Sequence, residues 1–216
     1  MNSLLKQANF DLLIFRRNPA ATFFTVVLPL IFLLIFTSIF GNEEIRPGVR
    51  AATFYVPGIL SLAIISATAT NLAITMTTRR ERGMLKRLRG TPIPAWTFIA
   101  SQAIAGFVLC VIMTVLIVAI GRVLFQVSLN TNGIPSLLIT VLIGAFSFSA
   151  IGLALTTITP SEDAAPAVTN AIFLPLYFIS DVFIVSEEET FLQRVGNLFP
   201  VKHLSNALQE SFDPFA

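Results

Sequence analysis

The chain has 216 residues, of which 55% are hydrophobic and only 12% charged, and its mean hydropathy is +0.81. A soluble domain carries about 25% charged residues because its surface needs them, so these figures exclude a soluble enzyme and a disordered chain. The net charge of +2 leaves no broad cationic surface for phosphate, which excludes nucleic acid as a partner. The one cysteine, Cys110, excludes an internal disulfide and a cysteine-based metal site, and in its apolar run it reads as a small buried hydrophobe. The composition is that of an all-α integral membrane protein in contact with lipid.

In chain order, residues 1–19 place Leu4, Leu5, Ala8, Leu12 and Phe15 on one helical face, an amphipathic helix that ends at Arg16-Arg17-Asn18-Pro19. About 20 apolar residues cross a 30 Å hydrocarbon core. That ruler predicts five spans, at 21–40, 54–78, 97–121, 134–159 and 164–185. The first is too long for the 7–15-residue apolar region of a signal peptide and has four more behind it, so it is a retained span. Asp181, near one end of the fifth, is the one ionisable residue in any of them. A charge at a helix centre costs roughly 2.5–3.5 kcal/mol on insertion scales. Pro29 and Pro175 are expected to bend the first and fifth spans. Tyr55 and Trp96 read as interfacial anchors. Ser101, Ala105, Ala145, Ser149 and Gly152 permit close helix packing.

Orientation follows from Lys and Arg. Lys6, Arg16 and Arg17 precede the first span against Asp11, and Arg79, Arg80, Arg82, Lys86, Arg87 and Arg89 follow the second against Glu81 alone. On the other side Glu43, Glu44, Arg46 and Arg50 cancel, Arg122 stands alone, and the last loop opens with Glu187-Glu188-Glu189. The N-terminus and the 79–96 loop are therefore expected in the cytoplasm, together with the short turn carrying Glu162 and Asp163. Five spans leave 186–216 on the outer face. There Phe191, Leu192, Val195, Leu198 and Phe199 predict a short amphipathic helix at the interface, ended by Pro200. A second, weaker helix with Leu204, Ala207 and Leu208 on one side is expected after it, and His203, with no second ligand near, reads as solvated.

The loop after the second span is the most informative segment. Met84, Leu85 and Leu88 lie on one helical face while Lys86, Arg87 and Arg89 point elsewhere, and Gly90 and Pro92 stop the helix. Six cations in such a loop serve topology and contact anionic lipid; a short amphipathic helix also suits a groove on a soluble partner. Periodicity leaves the two readings open.

Glu81-Arg82-Gly83-Met84-Leu85-Lys86-Arg87-Leu88-Arg89 followed by Thr91-Pro92 resembles the E-R-G-x-L-x-x-L-x-x-T-P cytoplasmic loop of type-2 ABC exporter permeases of the daunorubicin and multidrug kind. Tyr55-Val56-Pro57-Gly58 is similar to that family's Y-x-x-P-G, and Leu198-Phe199-Pro200 to its F-P stretch before a last span. Residues 1–19 resemble its connecting helix. The family normally has six spans; this chain shows five, and we expect a sixth to have been cut from it.

The resemblance implies that residues 79–96 are a coupling loop docking on a separate ABC ATPase subunit. Leu85 and Leu88, with Met84, would fill the ATPase groove, Glu81 and Arg82 would contact its rim, Gly83 belongs to the same motif, and Thr91 and Pro92 would set the re-entry angle. It further implies a bacterial inner-membrane exporter of an amphipathic drug, lipid or glycolipid, paired with a second copy or a paralogue. The chain contains no G-x-x-x-x-G-K-[ST] phosphate loop. It is therefore expected not to be an enzyme and to hold no cofactor, ATP and magnesium belonging to the partner. For a path, Thr68, Asn71, Thr75 and Thr78 make a polar stripe along the second span, and Asn170 and Asp181 are candidates in the fifth; packing between helices is the alternative use of such groups. A secondary transporter or channel is opposed by the lack of an ionisable residue near midplane. A membrane scaffold stays open.

Overall fold

The computed structural model describes residues 2–40, 43–46, 49–88, 90, 94–127, 133–180 and 191–212. Helix α1 (Asn2–Arg16) carries the expected apolar face. Ala8 is buried, Leu12 and Phe15 pack on the main core, and Leu5 is exposed. The first span follows at once. Asn18 caps it, its side-chain oxygen accepting from Ala21 N–H at 3.1 Å, and Pro19 takes the first helical position, where no donor is lost. It runs through α2 (Pro19–Thr22), a π-helical turn (Phe23–Val27) and α3 (Leu28–Phe40). A two-stranded antiparallel ribbon, β1 (Glu44–Arg46) and β2 (Val49–Arg50), joins it to the second span and marks what we call the ribbon end.

The second span is one helix of 30 residues, Ala52–Glu81, composed of α4 (Ala52–Ile65), a π-helical segment (Ser66–Thr70) and α5 (Asn71–Glu81). At 1.5 Å per residue it is about 45 Å long, so its last turns stand clear of a 30 Å core. A break at Gly83 leads to the five-residue α6 (Met84–Leu88). Helix α7 (Ala95–Phe125) is closed by Gln126 in the left-handed region, with Val127 N–H reaching back to Gly121 C=O at 3.1 Å. Helix α8 (Ile134–Ile158) returns, and a short turn leads into α9 (Ala165–Ile179).

Among the described residues, three helices are long and apolar enough to cross a membrane: Ala52–Glu81, Trp96–Phe125 and Ile134–Ile158. The other two expected spans appear as shorter apolar helices, Phe23–Ile39 and Ala165–Ile179. At 15 residues α9 covers about 22 Å, short of the hydrocarbon thickness, and 181–185 lie outside the described residues.

The second span occupies the centre, with α3, α7, α8 and α11 against α4 and with α7, α8 and α9 against its other half. Its π-helical segment is made of small residues, Ser66-Ala67-Thr68-Ala69-Thr70, so neighbouring backbones come close. A Cβ on Gly152 of α8 would stand 2.5 Å from the Ala69 carbonyl oxygen, so only glycine fits there. Thr68 Oγ1 donates to the Ile64 carbonyl at 2.6 Å, and Cys110 Sγ lies 3.7 Å from the same oxygen, buried as expected.

Of the two helices expected after α9, the second is the deeply packed one. The first helix, α10 (Phe191–Gly196), ends before Pro200, which instead starts α11 (Pro200–Phe212). Proline at the first turn lacks only a donor that would have no helical acceptor. Val201, Leu204, Leu208 and Phe212 form a buried stripe against α4 and α8, with Leu204 seated over Gly144. His203 is exposed, one ring nitrogen 3.0 Å from the Asn197 carbonyl.

Candidate functional site

The sequence-predicted loop lies at the end of the bundle opposite the ribbon, which we call the basic end. Helix α5 ends because Gly83 takes φ +68°, a conformation in which an L side chain is strained. The four residues from Arg79 to Arg82 then divide their work. Arg80 caps α8: it donates to the Thr156 carbonyl at 2.7 Å and to the Thr159 carbonyl, oxygens that a helix C-terminus leaves without partners. Glu81 accepts the Glu162 backbone N–H. Arg82 grips the Glu162 carboxylate with two nitrogens, at 3.1 and 3.4 Å. The α8–α9 turn is thereby tied to the root of α6, which puts Glu162 on the same side as the basic loop.

Arg79 points the other way, inward. Its Nη2 lies 2.6 Å from Asp11 Oδ1 on α1, and both side chains are at most 5% exposed. Ser101 of α7 brings its hydroxyl within 2.9 Å of Asp11 Oδ2, and Gln7 its amide within 3.4 Å of Oδ1. The Arg79 guanidinium also stands over the Phe98 ring, 4.9 Å from its centroid. Sequence reasoning missed this cluster. Asp11 and Arg79 entered it only as units in a charge count, and the signal that could have exposed Asp11 was its place one turn from Ala8 and Phe15 on the apolar face of α1.

The expected docking residues separate. Leu85 is half-buried against a small core of Leu72, Met76 and Phe98, whereas Met84, Lys86 and Arg87 are exposed. Glu81 and Arg82 are exposed and bond to Glu162, through its backbone N–H and its carboxylate respectively. Leu88 closes α6 by its backbone; its side chain, Thr91 and Pro92 lie outside the described residues. Gly83 holds the break that re-aims the chain.

The polar stripe separates as well. Thr68 is fully buried in the packing beside Gly106 of α7. Asn71, Thr75 and Thr78 are half-buried, with Thr75 Oγ1 3.5 Å from Asn71 Oδ1. Asn170, on α9, is half-buried, and Asp181 lies outside the described residues. No group of three or more His, Cys, Asp or Glu side chains that could hold a metal gathers among the described residues.

Comparison with known proteins agrees with this architecture. The family model for ABC-2 type transporters matches residues 8–212. The chain is 24% identical to the daunorubicin resistance ABC transporter permease protein DrrB1 of Streptomyces coeruleorubidus, over 91% of this chain and 70% of that one. It is 23% identical to the putative transport permease YvfS of Bacillus subtilis, over 97% and 85%. With the inner membrane transport permease YadH of Escherichia coli it shares 24% identity, over 87% and 75%. No solved structure matches. The chain therefore belongs to the ABC-2 type transporter family and is a membrane-embedded subunit of an ABC transporter.

Proposed function

We propose that this chain is the permease half of an exporter driven by a separate ABC ATPase, which docks on α6 at the cytoplasmic face, and that it works with a second permease copy or paralogue. The observation that carries this reading is the division of α6. Leu85 anchors the helix to Leu72, Met76 and Phe98, while Met84, Lys86 and Arg87 face outward just beyond the end of the second span. A helix held by one side and offered by the other transmits a push from a docked protein to α5. The cation-rich end faces the cytoplasm by the positive-inside rule. ATP and magnesium act on the partner.

The cargo is an amphipathic molecule, a drug, lipid or glycolipid. Asn71, Thr75 and Thr78 on α5 and Asn170 on α9 offer it hydroxyls and amides without charge. One relative is named for daunorubicin resistance, which makes daunorubicin a reasonable first cargo to try. Carriage without ATP, and a scaffold role, are the readings that fall if an ATPase binds and drives cargo.

The test is co-purification in detergent with the ATPase encoded beside this chain, for wild type, Met84→Asp and Leu88→Asp. Loss of the complex in Met84→Asp, with a monodisperse permease retained, is the expected result. Undiminished binding by both variants removes the docking role of α6.

A further inference from the structure

A carboxylate on a helix lying along a membrane surface ordinarily faces water. Asp11 does the opposite: Lys6 and Arg16 on the same helix are exposed, whereas Asp11 is buried where α1 crosses the first turns of α7. It touches three separate elements. Gln7 belongs to its own helix, Ser101 to α7 and Arg79 to α5. The Ser101 hydroxyl has a single proton and stands 2.8 Å from the Phe98 carbonyl as well as 2.9 Å from Asp11. Arg79 Nη1 is buried without a hydrogen-bond partner, so the guanidinium depends on Asp11 and the Phe98 ring. Apolar side chains would hold α1 against α7 in several registers, because contact between hydrophobic surfaces has little directionality. A buried charge pair has one good register, since a slip leaves two charges without partners in a medium that cannot solvate them.

Arg79 also lies four residues before Gly83, where α5 gives way to α6. We infer that Asp11 is a positioning residue for energy coupling: through Arg79 and Ser101 it fixes the register of α1 and α7 against the root of α6, so that the three shift as one body. This rests on the ATPase-docked reading above. In that reading a push on α6 reaches α7 and α1 as well as α5. Without the pair, α6 moves and α1 stays or slides.

The experiment uses the permease–ATPase complex in lipid nanodiscs. Spin labels are placed at exposed Phe10 of α1 and exposed Lys86 of α6, in a Cys110→Ala background. Their separation is measured without nucleotide and with ATP plus vanadate. In the wild type the modal distance should agree between the two conditions to within about 2 Å, the scale of an interface adjustment; in Asp11→Asn it should differ by on the order of a helical turn, about 5 Å. The exchanged pair Asp11→Arg/Arg79→Asp should bring the two conditions together again. If Asp11→Asn does not fold, Ser101→Ala, which keeps both charges, should show the distance broadened in the trapped state only. An Asp11→Asn or Ser101→Ala complex whose distance is as constant as wild type overturns the inference while leaving the docking reading intact. A wild-type chain that binds no ATPase overturns that reading, and the inference falls with it.

Discussion

Two ion pairs leave the same stretch of helix three residues apart, and they are opposites. Arg79–Asp11 is 2.6 Å long with side chains 5% and 2% exposed; Arg82–Glu162 is 3.1 Å long with side chains 65% and 32% exposed. In the buried pair each charge has lost its water and relies on its partner, so removing one partner costs about 3–5 kcal/mol. In the exposed pair water replaces either partner, and the median worth is about 0–1 kcal/mol. The first joins α1, α5 and α7 durably. The second joins α5 to the α8–α9 turn in a way that a docking protein can undo. One root therefore carries a fixed joint on its inner side and a releasable one on its outer side.

The largest effect should come from Asp11→Leu, which strands Arg79. We expect a loss of about 3–5 kcal/mol, read as a fall in thermal unfolding temperature in detergent. The double replacement Asp11→Leu/Arg79→Met should recover most of that loss, because an apolar pair incurs no desolvation penalty. Failure of the double variant to recover would mean the cluster does more than neutralise itself. Next comes Gly152→Ala. Its new methyl would meet the Ala69 carbonyl at 2.5 Å, and overpacking of this kind costs about 1–3 kcal/mol. Leu85→Ala should cost on the order of 1 kcal/mol, since the side chain is only half-buried against Leu72, Met76 and Phe98. Smallest is Glu162→Gln, below about 1 kcal/mol and smaller still in high salt. A loss from Glu162→Gln equal to that from Asp11→Leu would erase the contrast between the two joints.

What was legible in the sequence is what a local pattern encodes. The apolar helices, the amphipathic face of α1 and the short α6 all follow from hydropathy and charge within one window, whereas the break that Gly83 makes before α6 is not among those readings. The 83% burial of the second span's apolar stretch, against 39% for each of the other two long helices, does not follow from such a window either. All three read alike as strings of apolar residues, and only packing puts one at the centre. The polar stripe divides for the same reason. Ser66–Thr70 lies where the span is packed on every side, so all five residues are buried. Thr68 is therefore in the packing beside Gly106, while Asn71, Thr75 and Thr78, nearer the basic end, are half-buried. The Asp11–Arg79 pair spans 68 residues of sequence; no local rule links its two halves. Pro200 reads as a stop because proline ends helices, yet it opens α11, the other position where its ring fits.

The most direct test of the account is a photo-crosslinking experiment in membranes that hold this chain and its neighbouring ATPase. A benzophenone amino acid is placed in turn at Met84, which is exposed, and at Leu85, which faces Leu72, Met76 and Phe98. The account predicts an adduct with the ATPase from position 84 and crosslinks within the chain from position 85. Adducts with lipid alone from position 84, or equal ATPase adducts from both, would contradict it.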